Sequence, residues 1–215
     1  MTYSVKEMYY TLQGEGAQAG RPAVFLRFSG CNLWSGREKD RDRAVCKFCD
    51  TQFVGTDGPG GGKFKTSDDL ARAVAKHWPE KSQYQGRPYV VCTGGEPLLQ
   101  LDSGAIVAMQ ESGFEVAVET NGTVAAPAEL DWICVSPKAG AALLQNRGDE
   151  LKLVYPQLER EAQPEQFIEL EFRHFFLQPL DDEQKDEHIR AAIDYCMANP
   201  LWKLSLQTHK ILGIA

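Results

Sequence analysis

Apolar runs alternate with polar, glycine-broken connections along most of the chain. Residues 23–29 (A-V-F-L-R-F-S) are apolar apart from Arg27 and the closing serine, and 89–92 (Y-V-V-C) are apolar throughout. Continuous runs of this kind predict strands buried on both faces of a parallel sheet. Residues 115–119, 132–135, 151–155 and 173–177 predict further short strands, while 7–16 begins as an aromatic extended stretch and ends in a glycine turn. Ser67 is the predicted N-cap of a helix over S-D-D-L-A-R-A-V-A-K-H. Helical patterning recurs over 101–111, 182–197, and near 139–145 and 164–170; residues 202–207 close the series. About six strands alternating with helices predict a parallel α/β fold. Eight full βα units need about 250 residues. The 215 residues here therefore point to one domain over 1–215, a shortened and open parallel βα barrel.

Composition narrows the function. Hydrophobic residues make up 43% and charged residues 25% of the chain, the mix of a soluble globular protein. No run of about 18 uncharged apolar residues spans a membrane. The first residues lack a signal peptide's apolar middle, so a cytoplasmic location is expected. A formal charge of −7 argues against nucleic acid as partner, because counterion release needs a basic face. A small-molecule substrate fits better.

Six cysteines in such a chain read as metal ligands or core thiols rather than disulfides. Cys31, Cys46 and Cys49 form C-x14-C-x2-C, with Cys31 just beyond the first long strand. A C-x-x-C turn brings both sulfurs to one side, and ligand sites gather at the C-terminal ends of parallel strands. Two readings stay open: a zinc site with a remote fourth ligand, or an iron–sulfur cluster on three thiolates with one iron free. Cys92, Cys134 and Cys196 lie in apolar contexts and read as core packing. Gly14-Glu15-Gly16-Ala17-Gln18-Ala19 matches G-x-G-x-x-A but leads into a strand instead of a helix, which excludes a dinucleotide fingerprint. Residues 56–63 read as a glycine-rich surface loop. Thr93-Gly94-Gly95-Glu96-Pro97 directly follows a strand; its glycines allow a ligand close to the backbone, and Glu96 suits an amino group.

Three thiolates with Phe48 before the last, together with G-G-E-P, resemble the radical S-adenosylmethionine superfamily. Its usual spacing is C-x3-C-x2-C; this chain has eleven more residues there, a charged insertion at about 34–45. The stretch E-M-Y-Y-T-L-Q-G-E-G, then Arg27-Phe28-Ser29-Gly30-Cys31-Asn32-Leu33-Trp34, Cys49-Asp50-Thr51, Glu119-Thr120-Asn121-Gly122, Ser136-Pro137-Lys138 and Gln178-Pro179-Leu180 resemble the 7-carboxy-7-deazaguanine synthases, one branch of which carries the longer spacing.

That resemblance implies a [4Fe–4S] cluster on Cys31, Cys46 and Cys49, with S-adenosylmethionine on the open iron cleaved to a 5′-deoxyadenosyl radical. It places the cofactor against Phe48, Cys49, Asp50, Gly94, Gly95, Glu96, Asn121, Ser136, Pro137, Lys138 and Gln178. It implies Mg2+ at Thr51 and Asp50, hard oxygen donors. The implied substrate is 6-carboxy-5,6,7,8-tetrahydropterin, held by Leu12, Gln13, Gly14, Glu15, Arg27, Thr93 and the carboxylate of Ala215, with residues 207–210 in support. Arg27 would pair with the substrate carboxylate, its other reading being a core ion pair. Ring contraction with loss of ammonia then makes this a carbon–nitrogen lyase of queuosine-type biosynthesis. A homodimer and a flavodoxin or ferredoxin as electron donor follow from the same likeness. Two alternatives stand beside it: an activase that installs a glycyl radical on a partner protein, and a zinc-stabilised binding module.

Overall fold

The computed structural model describes residues 2–79 and 86–214. One sheet of nine strands organises them. In chain order these are β1 (Tyr3–Leu12), β2 (Pro22–Phe28), β3 (Gly62–Phe64), β4 (Tyr89–Gly94), β5 (Glu115–Thr120), β6 (Trp132–Val135), β7 (Arg147–Tyr155), β8 (Glu171–Pro179) and β9 (Trp202–Leu204), in spatial order β3-β1-β2-β4-β5-β6-β7-β8-β9. From β2 to β9 every pairing is parallel, so seven strands form the barrel wall, and β1 and β3 extend one edge antiparallel. The order begins at β3 and ends at β9, an open sheet rather than a closed barrel.

The open architecture agrees with expectation; the strand count is larger. The aromatic stretch at the N-terminus is a full ten-residue strand. Part of the glycine-rich 56–63 segment supplies β3, whose Gly62 pairs with Val5. Helices are fewer. Crossovers carry α1 (Ser67–His77), α2 (Ser103–Glu111) and α3 (Lys185–Ala198), and a short α4 (Thr208–Leu212) ends the chain. Residues 139–145 form turns and loop, interrupted at Gly140 with φ +74°, and 164–170 holds only the 3-10 turn Pro164–Gln166. Loops and 3-10 turns therefore replace the expected helices between β6 and β7 and between β7 and β8.

Thr66, rather than Ser67, caps α1: its hydroxyl accepts from Asp69 N at 3.1 Å. Asp68 and Asp69 sit at the positive end of this helix and Lys76 and His77 at the negative end. Its buried Leu70, Ala71 and Val74 join Ile106 and Met109 of α2 against Val90, Cys92, Val116 and Val118 of the sheet. Farther along the same face, Ala192 of α3 packs on Leu151, Leu153, Phe175, Leu177 and Trp202. Among the described residues no helix is long and apolar enough to cross a membrane.

Candidate active site

Strand alternation sends every second residue to the concave face. Phe25 and Arg27, Val91 and Thr93, Ala117 and Glu119, Cys134, Lys152 and Val154, and Gln178 share it in register. The face is apolar at its N-terminal end, where Ala23, Tyr89, Val91 and Ala117 cluster, and polar toward the strand ends. There it opens into a cavity of about 510 Å³.

Most residues expected at a site line this cavity: Leu12, Gln13, Gly14, Glu15, Arg27, Cys46, Phe48, Cys49, Asp50, Thr51, Thr93, Gly94, Gly95, Asn121, Ser136, Lys138 and Gln178. Cys31, Glu96 and Pro137 are not on its wall. Ala215 lies outside the described residues.

The three thiols form one electrostatic group. The Cys46 thiol donates to Cys49, which pulls Cys49 down to about 6 with help from the Thr51 backbone, and the same bond pushes Cys46 up. Burial raises Cys31, whose Sγ accepts from Leu33 N at 3.4 Å. Lys138 lies behind the pair. Burial lowers its pKa against the opposing pull of Cys46 and Cys49, and its Nζ donates to Ser136 O and Oγ, both at 2.6 Å.

The glycine turn has a physical reason other than ligand approach. Gly94 has φ +136°, and a side chain there would collide with the Phe28 carbonyl; one at Gly95 would collide with that of Gly30. The turn is laid against the end of β2, with Glu96 N donating to Gly30 O at 2.9 Å. Glu96 is fully buried. Its carboxylate accepts from Leu98 N at 3.0 Å, Thr120 Oγ1 at 2.8 Å and Asn121 N at 2.8 Å. It therefore ties the turn after β4 to the end of β5. Burial raises its pKa against those three bonds.

Arg27 donates from Nε to Glu7 at 2.8 Å and from Nη2 to the Tyr9 hydroxyl at 2.9 Å, so the ion-pair reading holds alongside its place on the cavity wall. Across the cavity stand groups the sequence reading passed over. Lys152 is buried, pairs tightly with Glu15, and lies 3.6 Å from Glu119. Burial pushes the Glu15 carboxyl up, but Lys152 and the Gln207 amide outweigh it and the pKa ends below its ordinary value. Burial likewise depresses Lys152 until Glu119 and Glu15 reverse the shift, leaving it well above the usual lysine value. Gln13 Nε2 donates to Glu119 at 2.9 Å. Lys152 is the single charge in the apolar run 151–155, the same signal that singled out Arg27, whereas Glu119 shares its strand with Glu115.

Asp50 is gripped by Lys210 at 2.7 Å, and Lys210 also holds Asp181 at 2.6 Å. Burial alone would raise the Asp50 pKa; Lys210 lowers it overall. Of the remaining cysteines, Cys92 is core, Cys196 is only partly buried, and Cys134 is buried yet touches the cavity wall.

Parallel strands arranged as an open barrel, all of whose C-terminal ends converge on one polar, thiol-bearing cavity, define an enzyme of the radical S-adenosylmethionine fold class. No protein-family model matches the chain. The 7-carboxy-7-deazaguanine synthase of Caulobacter vibrioides is 60% identical over 217 residues, and that of Bordetella pertussis 58% over 214, each alignment covering all of both chains. The crystal structure of QueE from Escherichia coli superposes with a TM-score of 0.70 at 27% identity, over 96% of this chain and 94% of that one. The chain belongs to the 7-carboxy-7-deazaguanine synthase family.

Proposed function

We propose that this protein is a radical S-adenosylmethionine lyase that converts 6-carboxy-5,6,7,8-tetrahydropterin to 7-carboxy-7-deazaguanine with loss of ammonia. One observation supports it above the others: a single cavity bordered by the C-x-x-C thiols on one wall and by Gln13, Glu15, Arg27 and Thr93 on another.

The donor set fits a [4Fe–4S] cluster. Among the described residues no three His, Cys, Asp or Glu side chains converge as they would on one metal ion. A cubane asks for less, since each thiolate binds a different iron and the fourth iron is left open. In the metal-free chain Cys49 is the most acidic of the three thiols, and Cys46 and Cys31, both pushed up, would give up their protons as iron binds. When bound, the cluster supplies one electron to S-adenosylmethionine and so a 5′-deoxyadenosyl radical able to take a hydrogen from the substrate.

The side chains bind and orient. Gly94, Gly95, Asn121, Ser136, Lys138 and Gln178 border the volume assigned to the nucleotide, beside Phe48. Glu15 stays ionised and accepts from the amino edge of a pterin, while Gln13 both donates and accepts. Arg27 takes the substrate carboxylate with the guanidinium N–H groups that Glu7 and Tyr9 leave free. The Thr51 hydroxyl and Asp50 are hard oxygen ligands suited to Mg2+, which would polarise that carboxylate. A homodimer and a flavodoxin- or ferredoxin-type electron donor complete this reading.

Anaerobically reconstituted protein, given reductant, S-adenosylmethionine and the carboxytetrahydropterin, is expected to release ammonia. Unchanged substrate over an intact, reducible cluster would favour a glycyl-radical activase instead. About one zinc per chain and no iron would favour a binding module. Arg27→Ala is expected to raise substrate KM by about a hundredfold, the loss of two charge-assisted hydrogen bonds, while cofactor cleavage continues; equal loss of both assigns Arg27 to structure.

A further inference from the structure

Eleven additional residues between the first two ligating thiols should loosen the site they close. Loop entropy rises with length, and Arg37, Lys39, Asp42 and Arg43 of this insertion are exposed and bury little. Yet the insertion turns back on itself. Residues Glu38–Arg43 form a 3-10 turn, and Arg41 points from it toward the C-x-x-C segment. Its guanidinium lies 4.1 Å above the Trp34 ring, and Glu38 grips Nε at 2.7 Å and Nη2 at 2.5 Å. The remaining nitrogen, Nη1, donates to the carbonyls of Lys47 at 2.7 Å and Cys49 at 3.1 Å.

Those partners span the whole loop. Trp34 follows Cys31 by three residues and is buried edge-on against Phe53 at 5.6 Å. Leu33 O accepts from Val45 N at 3.1 Å and Cys46 N at 3.4 Å, which closes the loop's neck. Lys47 and Cys49 bracket Phe48 in the C-x-x-C turn. One planar cation thus joins both ends of the fourteen-residue excursion between Cys31 and Cys46, and it does so with a fork, a stacked face and a charge together.

We propose that Arg41 is a positioning residue that pins the Cys46–Cys49 turn and so holds two of the three cluster-ligating sulfurs in place. This inference rests on the cluster assignment made above. A lysine keeps the charge but has neither the fork nor the flat face, so Arg41→Lys should fail to rescue most of the effect.

Wild-type, Arg41→Ala and Arg41→Lys full-length chains test it in two ways. Hydrogen exchange on the metal-free chains should show the amides of residues 45–50 exchanging at least tenfold faster in both variants, with β4 and β5 unchanged. On reconstituted protein, iron loss to a chelator should be several-fold faster in both variants. Unchanged exchange in 45–50, or faster exchange spread into β4 and β5, would overturn the proposal, as would full rescue by lysine or unaltered iron loss in the variants. A wild-type chain that takes up no iron would sink the cluster assignment instead, while the exchange data would still decide whether Arg41 pins the turn.

Discussion

A carboxylate with no exposed surface must be held by donors or it would not stay charged. Glu96 has three donors, two of them backbone amides. Glu96→Gln turns one acceptor oxygen into a donor facing an N–H, so it should destabilise the metal-free chain by roughly 1–3 kcal/mol in urea unfolding. Full apo stability combined with lost S-adenosylmethionine binding would return Glu96 to the cofactor. Lys152 has the opposite task. The Glu15 pKa is depressed, so its ionised form contributes fully above its ordinary value near 4.5 and is lost only as pH falls through the lower folded value. Removing Lys152 takes away the main counterweight to burial, which favours the protonated acid, and leaves the weaker Gln207 and His209 contributions to oppose it. Lys152→Met should therefore move the acid limb of substrate kcat/KM up by more than about one pH unit and destabilise the fold by roughly 3–5 kcal/mol, with Lys152→Arg restoring the profile. An unmoved acid limb in folded Lys152→Met would show that Glu15 does not depend on this partner. Arg27 and Lys152 share one signal, a lone charge in an apolar run, and Glu119 closes a run that begins with Glu115, but a sequence does not say which of them face one another. The tie made by Glu96 was illegible for a related reason: G-G-E-P is identical whether its carboxylate faces a ligand or the end of the neighbouring strand.

Strands were more legible than helices because their signal is local. The β2 and β4 runs declared themselves, whereas β3 is three residues of a glycine-rich segment and forms only because β1 offers it an edge. The absent helices near 139–145 and 164–170 show the converse: spacing there is compatible with a helix, but Gly140 at φ +74° interrupts the first, and the second stops after the single turn Pro164–Gln166 and packs Phe167 and Leu170 against the core from an irregular segment. Boundaries moved for capping reasons. At α2 the Asp102 carboxylate accepts from Ala105 N at 2.9 Å and also from the Tyr3 hydroxyl at 2.8 Å. It starts the helix and anchors β1 at once. Burial, then Asp102, push the Tyr3 pKa up to about 12, so the hydroxyl remains the donor across ordinary pH. Asp102→Ala removes a cap and strands a buried phenol, and should cost about 2–3 kcal/mol, a fall in Tm of roughly 4–10 °C. Asp102→Asn, which keeps an acceptor oxygen, should recover most of it; an equal loss in both variants would mean that charge rather than acceptance matters.

An open barrel leaves its cavity without a wall on one side, and the end of the chain closes part of that gap. Helix α4 has five residues, too few to hold itself together in water, and Ile211 and Leu212 are largely exposed. Its position depends on polar links: Thr208 N and Oγ1 donate to Gly14 O at 3.0 and 2.9 Å, and Lys210 joins Asp50 beside the thiols to Asp181 after β8. Gln207, His209 and Lys210 all line the cavity. Partly exposed ion pairs are each worth about 0.2–1 kcal/mol, so this segment belongs to the least stable part of the molecule although it borders the chemistry. Lys210→Ala should lower Tm by no more than about 3 °C, yet raise exchange at 208–214 and increase substrate KM several-fold. High salt should reproduce the KM change in the wild type in weaker form, because the same pairs are screened. A large drop in Tm would make Lys210 a global fastener, and an unchanged KM would mean that the cavity keeps its shape without the latch.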